Sequence, residues 1–168
     1  MSSTVAISVN LPEWRSLWKP VRNRLEWIAA GLAGVGIVSQ RDRIVGSFVE
    51  KAWDLGAFYS AVFDWASIQG AFIFGVYAFF LSRSEPFIQA IAPSPAFKML
   101  RRYVVRTLYL TLILTVAALP MVVSPWEMAQ DGFSGGFAVF LMQSMLAVYT
   151  FFCFLKVIRV FGKIERRS

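Results

Sequence analysis

A chain of 168 residues that is 57% hydrophobic and only 16% charged falls short of the roughly 25% charged residues of a soluble domain. That excludes an ordinary water-soluble globule and points to a single membrane domain. The net charge of +7 would suit nucleic acid if it covered a surface, but the basic residues cluster beside apolar runs, as in cytoplasmic membrane loops, so no nucleic-acid partner is expected. With no histidine and one cysteine, Cys153, inside an apolar run, the chain lacks the usual general base and metal ligand. An internal disulfide is impossible, and no metal or cofactor is expected.

In chain order, residues 1–24 contain "LPEWRSLWKPVRNR" and no clean apolar stretch of a secretory signal. Trp14, Leu17, Trp18 and Val21 fall to one side and Arg15, Lys19 and Arg22 to the other, giving an amphipathic cytoplasmic or interfacial segment interrupted by Pro20. Residues 25–40, "LEWIAAGLAGVGIVSQ", fall just under the roughly 20 residues that cross 30 Å of hydrocarbon. They read as a short span, a re-entrant piece or an interfacial helix, and Arg24 and Arg41 could snorkel to lengthen a span. In residues 41–54 an apolar stripe of Ile44, Val45, Phe48, Val49, Ala52 and Trp53 predicts an amphipathic interfacial helix facing lipid or a partner protein.

Three runs are long enough to span: 57–81, 104–123 and 136–161. The expected class is therefore all-α, a polytopic helical membrane protein with three transmembrane helices, a short fourth and interfacial amphipathic helices. Prolines between 82 and 103 suggest a bent linker before the second span, and residues 162–168 form a basic tail suited to anionic lipid headgroups. Arg83, Lys98, Arg101, Arg102 and Arg106 before the second span, and Lys156, Arg159, Lys163, Arg166 and Arg167 at the end of the third, contrast with "SPWEMAQDG", which has no Lys or Arg. The positive-inside rule places the first two groups in the cytoplasm. A crossing at 25–40 returns four further basic residues to that side, fourteen against three instead of ten against seven. Four spans with both termini cytoplasmic, in a bacterial inner membrane, is the favoured arrangement.

Asp64 is the carboxylate inside the first long run. Counted from the outer ends, Asp64, Thr115 and Gln143 lie seven or eight residues deep, about 10 Å at 1.5 Å per residue. That predicts an intramembrane polar layer of Asp64, Thr115, Gln143 and Ser144, with Asp64 turned to the protein interior, since a charge near a helix centre costs roughly 2.5 to 3.5 kcal/mol. Its expected role is polar glue between helices, with a water-filled conduit or a carrier site as the sharper readings. Ser67, Ala71 and Gly75, like Ala30 and Gly34, repeat every four residues, a spacing that lets membrane helices approach closely. Thr107, Thr111 and Thr115 make a second stripe, expected to bond back to their own helix or to a neighbouring one or, alternatively, to line a pore. Trp65, deep beside Asp64, reads as a packing residue, whereas the other tryptophans fall at interfaces.

No phosphate loop, dinucleotide fingerprint, zinc-protease motif or nucleophile elbow occurs, so an enzyme is not expected. The leading expectation is a homo-oligomeric pore-forming or membrane-perturbing protein in contact with the bilayer and its anionic lipids. The alternative is an accessory or assembly subunit of a larger membrane complex.

Overall fold

The structure is a computed structural model that describes residues 24–82, 95–126, 128 and 134–165. Five α-helices and no strand occur among them: α1 (Leu25–Ser39), α2 (Arg41–Val49), α3 (Leu55–Leu81), α4 (Pro95–Val123) and α5 (Gly135–Glu165). The all-helical reading holds, and α3, α4 and α5 are long and apolar enough to cross a membrane, as an integral membrane protein requires. The expectations for residues 1–23, and for the tail at 166–168, lie outside the described residues.

The long helices pack through heptad seams. On α3 the buried positions are Tyr59, Val62, Ala66, Gln69, Ile73 and Val76, and on α4 Leu100, Val104, Thr107, Thr111, Leu114, Ala118 and Met121. Both series alternate steps of three and four, the spacing at which neighbouring membrane helices cross at shallow angles. Val62 and Ala66 meet Leu114 and Ala118 near one end, and Ile73 and Val76 meet Leu100, Val104 and Val157 near the other. Helices α3 and α4 are thus antiparallel. Four ring pairs run up the seam between α3 and α5, Phe58 with Phe140 at 4.7 Å, Trp65 with Phe151 at 5.8 Å, Phe72 with Phe154 at 5.3 Å and Phe79 with Phe161 at 6.0 Å, so these two helices run parallel. Trp65 touches Phe151 in this seam while staying 40% exposed.

Helix α1 lies antiparallel along α5: Glu26 meets Lys156, Ala30 meets Tyr149 and Cys153, and Gly34 meets Met145. Gly34 lies close against α5, since a Cβ there would come within 2.8 Å of Met145 Sδ and make that flexible side chain shift. At the far end of α1, helix α2 turns its apolar stripe onto this chain's own core, with Val45 buried against Met128, Phe137 and Phe140 and flanked by Ile44 and Phe48. Of the apolar stripe expected at 41–54, Ile44, Val45 and Phe48 thus pack within the chain while Val49, Ala52 and Trp53 stay exposed, and the helix is shorter than expected, since Glu50–Asp54 form a turn in which Lys51 takes a positive φ of 58°. Asp54 Oδ1 then accepts the Gly56 and Ala57 amides at 2.8 and 3.2 Å, capping α3.

The linker expected to run up to residue 103 is in part helix. Pro95 opens α4, a first-turn position where its missing N–H costs nothing, and Lys98, Arg101 and Arg102 ride on helical backbone beyond the apolar stretch. Outside, large apolar side chains dominate: Trp27, Leu32, Val35, Ile68, Phe74, Leu112, Val116 and Met142 are all more than half exposed. So continuous an apolar surface suits lipid and not water.

Candidate functional site

Two polar constellations stand out. The first is the layer read from sequence. Gln143 on α5 is buried, and its Nε2 donates to the Ala117 carbonyl on α4 at 2.8 Å, so this residue joins two helices. Thr115 is half-buried, and its hydroxyl donates to the Thr111 carbonyl of its own helix at 2.8 Å. Ser144 lies half-buried beside Gln143, its hydroxyl without a partner among the described residues.

Asp64 does not join them. It is exposed on the outward face of α3, which corrects the expectation that it faces the interior. The reason is azimuth: at 3.6 residues per turn, Asp64 lies two residues from both Val62 and Ala66 of the buried seam, nearly on the opposite side of the helix. Depth was shared with Thr115 and Gln143; direction was not.

The small-residue stripe shares that direction. Ser67, Ala71 and Gly75 are all exposed, and a Cβ on Gly75 would touch nothing within 4 Å, so they make no close approach to another of the described residues. They belong to a wider outward seam. Ala57, Ala61, Asp64, Ile68, Ala71, Gly75 and Ala78 are exposed at alternating steps of four and three, the same repeat as the inward face.

Of the threonine stripe, Thr107 and Thr111 are fully buried. Thr111 Oγ1 donates back to the Thr107 and Leu108 carbonyls, each at 3.0 Å, whereas the Thr107 hydroxyl has no partner among the described residues. On α3 the neighbouring Gly70 lies against Thr111, and Gln69 beside it is fully buried with neither amide atom partnered among the described residues. Gln69 is the buried polar centre of the α3 seam, and it could have been found by phase, since it falls in step with Val62, Ala66 and Ile73 while Asp64 does not.

The second constellation was not legible in sequence. Glu26 on α1 is 2% exposed, accepts a hydrogen bond from Lys156 Nζ on α5, and lies 3.8 Å from the Arg106 guanidinium on α4. Arg106 rests over the Tyr149 ring at 5.2 Å, and that ring contacts Trp27 at 4.7 Å. Lys156 in turn lies 5.6 Å from the Tyr103 ring centre. Acidic and basic side chains thus pair across three helices, although no pair is visible within any one run.

Neither constellation assembles a nucleophile with a base. A cleft of about 320 Å³ opens elsewhere, lined among the described residues by Phe48, Val49, Lys51, Leu55, Pro125 and Met128. Comparison with known proteins found no matching family model, no matching curated protein and no matching solved structure.

Proposed function

We propose that this chain is a small integral membrane protein that self-associates through the outward face of α3 into a homo-oligomeric, pore-forming or membrane-perturbing assembly. One observation carries the reading: Asp64 is exposed part-way along a spanning helix, in the middle of a seam of small residues. A carboxylate left against acyl chains costs roughly 2.5 to 3.5 kcal/mol. Small side chains let a second α3 approach closely, and paired carboxyls about a symmetry axis relieve that cost by sharing a proton or by facing water. On this reading Asp64 is the ionisable group at the assembly axis, with Ser67 one turn further along.

The proposed topology places the basic end of the bundle in the cytoplasm, with α1 as a fourth, short crossing and both termini on that side of a bacterial inner membrane. The antiparallel course of α1 along α5, from Lys156 to Met145, supports the crossing. The second reading is an accessory subunit of a larger complex, favoured by the same Asp64 if a partner helix brings a lysine or arginine to it. Purification in mild detergent with mass determination separates the two. The proposed assembly gives a multiple of the 18.9 kDa protomer and vesicles that leak ions, with leakage lost in Asp64→Leu; foreign subunits in stoichiometric amount support the accessory role, and a lone protomer with no leakage overturns the pore.

A further inference from the structure

We infer that the α1/α4 groove at the basic end holds the phosphate of an anionic phospholipid, with Arg106 and Arg102 as its ligands. The inference rests on the chain's residence in a bilayer and is independent of any oligomer. It starts from charge. Glu26 is 2% exposed and already takes the Lys156 ammonium, whereas Arg106 stands off at 3.8 Å. The three side chains carry one more positive than negative charge, and the Arg106 side chain is 39% exposed.

Position decides which anion answers it. Residues 107–123 of α4 carry no charge, so Arg106 marks the edge of the apolar stretch, about 25 Å from the helix end at 1.5 Å per residue. Lys156 closes an uncharged run on α5 that begins at residue 135. Phosphate headgroups lie at that level.

The groove is also shaped for such a ligand. The Arg106 guanidinium lies 5.2 Å over the Tyr149 ring, and Glu26 approaches one of its nitrogens, so further N–H donors of this half-exposed side chain are available to a ligand. Arg102 is exposed one helical turn away on the same face of α4, so a phosphate can take donors from two arginines, and arginine suits phosphate through paired N–H bonds. Trp27, 62% exposed and in contact with Tyr149, forms the apolar flank against which acyl or glycerol carbons would lie.

The test titrates the full-length protein in mild detergent with phosphatidylglycerol and, separately, phosphatidylcholine of the same chains, read by native mass spectrometry. The wild type retains phosphatidylglycerol preferentially. Arg106→Gln and Arg102→Gln each weaken that retention roughly tenfold, as loss of a charge-assisted bond implies, while Arg101→Gln, an exposed arginine one residue off the face, changes it less than twofold. Because Arg106 also touches Glu26, Arg102→Gln serves as the variant that leaves the fold intact. Equal retention of both lipids, or equal loss in Arg101→Gln and Arg102→Gln, overturns the site. Displacement of the lipid by millimolar inorganic phosphate overturns the lipid assignment in favour of a free-phosphate site.

Discussion

Replacing Lys156 by methionine removes the ammonium that Glu26 accepts from and leaves a carboxylate 2% exposed. Breaking a buried ion pair from one side typically costs 3 to 5 kcal/mol, because the surviving charge is uncompensated. Arg106, at 3.8 Å, recovers part of that, so the expected weakening of α1 against the rest of the bundle is about 3 kcal/mol, roughly a hundredfold in the opening equilibrium. The chain carries its own reporter. Cys153 is the sole cysteine, fully buried, and packed with Ala30 of α1 and Tyr149. A thiol reagent reaches it when α1 lifts away, so its labelling rate follows the population of the open form when closing is faster than labelling. Lys156→Met should therefore label on the order of a hundredfold faster than wild type, whereas Glu26→Leu combined with Lys156→Met, which removes both charges, should label within a few-fold of it, since apolar replacement of a buried pair is often neutral. Unchanged labelling in Lys156→Met, or equally fast labelling in the double variant, would refute the reasoning that an uncompensated buried charge is what opens the groove.

Two further outcomes follow from the packing. Gly34→Leu places a side chain where even a Cβ lies 2.8 Å from Met145 Sδ, so it should cost about 1 to 3 kcal/mol of overpacking, seen as a lowered unfolding midpoint in detergent. Gln69→Leu replaces an amide unpartnered among the described residues by an apolar group of similar size and should stabilise the bundle by about 1 to 2 kcal/mol, seen as a raised midpoint; a loss of stability of that size would mean that the amide is satisfied in the bilayer.

Much of the fold was legible because hydrocarbon imposes a length. The three long spans follow from uninterrupted apolar runs, and the structure alters their ends more than their existence. Helix α4 starts at Pro95 and not near Val104, because Lys98, Arg101 and Arg102 are excluded from lipid but not from helical backbone. The site was only half legible, since counting from the span ends gives depth while packing also depends on azimuth. Gln143 proved interior and Asp64 did not, although both lie at similar depth; following the three-and-four alternation through Val62, Ala66, Gln69 and Ile73 identifies the inward face and sets Asp64 opposite it. Glu26 with Lys156 was beyond such reasoning. The two residues lie 130 apart, and only the docking of α1 on α5 brings them together.

The proposed role turns on what covers the outward face of α3, and disulfide trapping reads that face directly. In a Cys153→Ser background, Ala71→Cys sits on the exposed seam and Ile73→Cys on the buried one. Oxidation in native membranes should convert Ala71→Cys into a covalent dimer of the chain while Ile73→Cys stays monomeric. A monomeric Ala71→Cys, or equal crosslinking at both positions, would contradict self-association through this face.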